Sequence, residues 1–74
     1  MRRLGEVTST AQGLLVARLP DEDHPDIGTA ALDESLDEVG RVVDVFGPVA
    51  RPYVAVTPDG DDPDRLLGAK LYAR

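Results

Sequence analysis

His24 is the only histidine in the chain, and it lies among Asp21, Glu22, Asp23 and Asp26. An imidazole surrounded by carboxylates can hold a cation, but a zinc-type site needs further histidines or cysteines. The chain has no second histidine and no cysteine to complete one. His24 is therefore expected at the surface. A second candidate is Asp59, Asp61, Asp62 and Asp64, four carboxylates within six positions. A calcium loop closes with a bidentate glutamate at a set distance, and none follows here. Asp44 is the third candidate, a lone carboxylate inside an apolar run. In isolation it could act as a general base. Short acidic side chains more often hydrogen-bond nearby backbone amides, and that structural role is expected of Asp44. No nucleophile, base and orienter stand together, and no glycine-rich loop opens onto a helix to cradle phosphate. The chain does not read as an enzyme, and neither a metal nor a cofactor is expected.

The strongest organising stretch is residues 39–56, V-G-R-V-V-D-V-F-G-P-V-A-R-P-Y-V-A-V. Its β-branched runs suit a pleated, half-buried surface and predict neighbouring strands over 41–46 and 53–57. Gly47, Pro48 and Pro52 stand between them. A merely flexible connection would be built of Gly, Ser and Asn. This one is stiffened by two prolines and carries Phe46, Val49 and Tyr53. Two readings stay open on residue types: a shaped recognition surface formed by Phe46, Gly47, Pro48, Val49, Pro52 and Tyr53, or a tight barrel corner folding into the core.

The remaining segments read as further short strands. Residues 1–10 predict the first, with a turn marked by Ser9, Thr10 and Gly13. Residues 14–19 form the second, placing Leu15, Ala17 and Leu19 on one face and Leu14, Val16 and Arg18 on the other. Residues 20–28 are an acidic loop. Residues 29–38 are ambiguous, because Ala30, Ala31, Leu32 and Leu36 fit helical spacing over a short window. Residues 57–65 are a second acidic loop. A helical turn over 63–67 ends at Gly68, and residues 69–73 supply a closing strand. Five or six short strands with Gly- and Pro-rich turns indicate a small closed β-barrel.

The 74 residues allow one domain, expected over 1–74. No apolar run is long enough for a membrane span or a signal-peptide core, so a soluble, cytoplasmic protein that does not engage membranes is expected. Fourteen acidic residues, ten of them Asp, face seven arginines and one lysine, for a formal charge of −6. An Asp-rich, Lys-poor surface fits a halophilic cytoplasm, where salt screens self-repulsion. The same balance lacks the basic footprint of an autonomous nucleic-acid binder.

The run Val39-Gly40-x-Val42-x-Asp44-Val45-Phe46-Gly47-Pro48-Val49-x-x-Pro52-Tyr53-x-x-Val56 resembles the signature of the small glycine/arginine-rich-type protein of H/ACA ribonucleoproteins, in its archaeal version. Weaker matches extend outward, through Arg3-Leu4-Gly5-x-Val7, Gly13-x-Leu15 and Gly68-x-x-Leu71-Tyr72, so the resemblance covers nearly the whole chain. It implies an all-β fold, a six-stranded closed barrel of the translation-factor-like type (reductase/isomerase/elongation-factor). It also implies a strand at about 30–32. In function it implies a non-catalytic accessory subunit that docks on the dyskerin-like catalytic subunit of an RNA-guided pseudouridine synthase. There it assists RNA loading and release in rRNA pseudouridylation and meets the H/ACA guide RNA only indirectly. No Arg-Gly repeats appear in these residues, so the RNA affinity such repeats give other members is not expected of them. The chain is expected to be monomeric by itself. The alternative is a stand-alone barrel serving ribosome assembly or binding a small ligand. A well-formed pocket would favour the ligand, and an exposed apolar patch around residues 46–53 would favour docking.

Overall fold

A computed structural model describes residues 2–60 and 62–74. Six strands follow in order: β1 (Arg2–Ala11), β2 (Leu14–Arg18), β3 (Ala30–Leu32), β4 (Glu38–Phe46), β5 (Tyr53–Pro58) and β6 (Lys70–Ala73). They close into an antiparallel barrel in the order β1-β2-β5-β4-β3-β6. The expected all-β, six-stranded closed barrel is the observed fold. Its closure rests on a short pairing in which Ala31 and Leu32 of β3 meet Ala73 and Tyr72 of β6.

The core follows from alternation. Leu15, Ala17 and Leu19 point inward and are fully buried, as their spacing predicts, and Val54, Val56, Leu71 and Ala73 join them from β5 and β6. Strict alternation breaks in β1, where Leu4 and Val7 are both core residues three positions apart. Register shifts between Arg3 and Gly5 against β6, and between Val7 and Ser9 against β2, absorb the extra residue. Gly5 makes the first of these possible. Its φ is +103°, and a Cβ there would run into the backbone carbonyl of Arg18.

β4 shows the same device. Val42 is buried and pairs with Val56, yet Asp44 pairs with Ala55, so Val43 is an extra, exposed residue. The bulge turns Val45 back towards the core, against which it packs. Asp44 lies at this bulge, and its Oδ1 accepts the backbone N–H of Val45 at 2.8 Å. The backbone-bonding role expected of this carboxylate is therefore observed.

Several boundaries differ from the sequence reading, among them the start of β4 at Glu38 instead of residue 41. Ser9 and Thr10 belong to β1, and the hairpin turns at Gln12 (φ 54°) and Gly13 (φ 80°), a pair of positive φ angles that matches the twist of the flanking strands. Pro58 ends β5 opposite Gly40, which shortens the second acidic loop. Pro63–Leu66 forms one turn of 3-10 helix. Residues 29–38 resolve as strand and turn. Asp33 Oδ1 accepts the N–H groups of Ser35 (2.8 Å) and Asp37 (3.1 Å), and this tight turn leads β3 into β4. Asp61, one of the four clustered aspartates, lies outside the described residues.

Candidate binding surface

The barrel order decides which loops meet. β2 and β3 are not neighbours in the closed barrel, so the segment between them must cross one end of it. It runs beside β4, where Gly28 N–H donates to Val42 O at 2.7 Å and Val42 N–H donates to Thr29 O at 2.9 Å. The acidic loop over 20–28 is thereby laid next to the β4–β5 connection.

That connection is pinned at both ends. At its start Gly47 has φ +91°, and a Cβ there would stand 2.9 Å from Cδ2 of Tyr53. Arg51 N–H donates to Pro48 O at 3.2 Å, closing a turn with Val49 and Ala50 at its tip. At its far end Leu19 ties the loop to β2. Leu19 N–H donates to Pro52 O at 3.0 Å, and Leu19 O accepts Arg51 Nε at 3.1 Å. Pro52 is buried, Tyr53 half-buried, and Gly47 and Pro48 exposed. Phe46 is 44% exposed and Val49 88% exposed. The six residues singled out in the sequence thus lie together, but they divide in role. Pro52 anchors the loop from inside, while Phe46, Pro48 and Val49 face outward.

Phe46 and Tyr53 are cross-strand partners, and their rings stack with centroids 5.6 Å apart at 18°. Arg18 is the partner of Tyr53 on its other side, with the guanidinium carbon 5.0 Å from the Tyr53 ring centroid. Sequence reasoning placed Arg18 only on the strand face opposite Leu15, Ala17 and Leu19. The strand order and register that bring it onto Tyr53 carry no local signal.

A groove of about 470 Å³ separates the two loops, lined by Glu22, Asp23 and His24 on one wall and Val45, Gly47, Val49 and Pro52 on the other. His24 is exposed, with Nδ1 3.2 Å from Pro25 O, and its own carbonyl accepts Arg2 Nη1 at 2.9 Å. Among the described residues, no group of three or more His, Cys, Asp or Glu side chains gathers closely enough to hold a metal ion. Asp64 instead accepts the Thr10 hydroxyl at 3.0 Å.

A small closed barrel that holds a stiff apolar loop out to solvent defines a binding module. The family model described as the Gar1/Naf1 RNA binding region matches residues 1–73, and the chain belongs to that family. The chain is also similar to an uncharacterized protein of Methanocaldococcus jannaschii, at 40% identity over 53 residues. The matched stretch is 72% of this chain and 62% of that relative.

Proposed function

We propose that this chain is a non-catalytic accessory subunit of an H/ACA ribonucleoprotein. It docks on the pseudouridine synthase through the β4–β5 loop and assists loading and release of substrate RNA during rRNA pseudouridylation. The observation that carries the docking step is Val49, an aliphatic side chain 88% exposed on a loop held rigid at both ends. An exposed apolar group on an acidic barrel contributes to stability only when a partner covers it. Because the loop is already ordered by Gly47, Pro48, Pro52 and Leu19, binding loses little conformational entropy. The facing wall of Glu22 and Asp23 suits a partner segment that pairs an aliphatic contact with a lysine or arginine.

The test is complex formation between this chain and the purified synthase in molar salt, followed by single-turnover pseudouridylation. A stable complex that accelerates turnover, with no activity from this chain alone, is the expected result. No complex at micromolar concentrations would overturn the reading.

A further inference from the structure

The formal charge of −6 conceals a segregated basic face. Arg3, Arg18 and Arg51 line one depression of about 360 Å³, shared with Thr8 and a single carboxylate, Glu6. Their positions in the sequence are remote, but β1, β2 and the end of the β4–β5 loop bring them together. Among the described residues the one ion pair is Arg41 with Glu38 at 3.6 Å, so none of these three arginines is neutralised by a carboxylate. Two of them are held in place. Arg51 is fixed by Nε to Leu19 O, leaving its terminal nitrogens available, and Arg18 lies over the Tyr53 ring with its own Nε buried and unbonded.

Arg18 links this depression to the aromatic pair. Arg18, Tyr53 and Phe46 are successive cross-strand neighbours over β2, β5 and β4, so guanidinium and two rings form one stacked row. Phe46, at the end of the row, is 44% exposed. β3 pairs only with residues 38–41 of β4, so no strand flanks Phe46 on its other side.

We propose that this row is a direct contact site for single-stranded RNA, in which a base stacks on Phe46 and Arg3, Arg18 and Arg51 receive the adjoining phosphates. Planar cations interleaved with aromatic rings match the alternation of charge and π-face along an unpaired strand. An acidic peptide would use the arginines but not the ring. The site goes beyond docking on the synthase and departs from the purely indirect guide-RNA role that the net charge and the family resemblance imply. It places RNA and protein partner on adjacent faces of one barrel.

The probe is a short, fluorescently labelled oligouridylate, titrated into the full chain in the absence of synthase, with folding followed by circular dichroism. Three phosphate contacts predict a slope of log K against log salt of about −2, since each contact to a single strand contributes about −0.7. The double variant R3Q/R51Q should bring the slope to about −0.7. Phe46→Leu should weaken binding by about fivefold or more at unchanged slope, the lower end of what one stacked base contributes. Val49→Ala should leave RNA binding unchanged, which separates this site from synthase docking. The proposal is overturned if the oligonucleotide does not bind at low salt. It is equally overturned if Phe46→Leu has no effect while a glutamate peptide competes as well as RNA, because the face would then be a cationic patch for protein.

Discussion

Val49→Ala isolates the docking surface from the fold. The substitution removes two carbons from a side chain that is 88% exposed, so the free chain loses almost no buried area. Stability should stay within about 0.5 kcal/mol of the parent, as for other surface changes. If the synthase covers Val49 completely, the lost transfer energy is about 0.8 kcal/mol per carbon, or about 1.6 kcal/mol of binding. That is roughly a fifteenfold weaker Kd. Isothermal titration against the purified synthase in molar salt reads the affinity, and a thermal melt of the variant reads the fold. An unchanged Kd would refute the placement of Val49 in the interface. Pro52→Ala is the informative contrast. Pro52 is buried, so replacing its ring with a methyl group loses core packing and the φ restraint that stiffens the loop, and should lower the melting temperature as well as the affinity.

Gly5→Ala should destabilise the barrel by upwards of about 2 kcal/mol, because the new Cβ meets the Arg18 carbonyl at a positive φ that alanine rarely adopts. In a domain of this size that lowers the melting temperature by about 10 °C, and a shift under about 3 °C would contradict the argument. Asp33→Ala removes an acceptor shared by Ser35 and Asp37 and should cost about 1–2 kcal/mol in a urea titration, whereas Asp33→Asn should retain most of it. Melting temperature should rise from low to molar salt, since fourteen acidic residues face only eight basic ones, and a flat or falling midpoint would count against the halophilic reading.

Much of the barrel is written locally. The alternation of Leu15, Ala17 and Leu19 and the β-branched runs on either side of Gly47, Pro48 and Pro52 are properties of neighbouring residues. The sheet merely reproduces their period of two. The stiff loop was legible for the same reason, because a proline constrains its own and the preceding residue wherever the chain goes. In residues 29–38 residue types alone favour a turn or two of helix, and the strand at 30–32 was legible only through the family resemblance. Pairing of Ala30 and Ala31 with Arg41 and Gly40 decided for the strand. The register shifts at Leu4, Thr8 and Val43 likewise appear only when strands are laid side by side, and they settle which residues reach the core. Charge shows the division most clearly. The sum over the chain is −6 whatever the fold, but electrostatic potential depends on where each charge stands. Only the strand order β1-β2-β5-β4 draws Arg3, Arg18 and Arg51 out of an acidic sequence and sets them beside Tyr53 and Phe46.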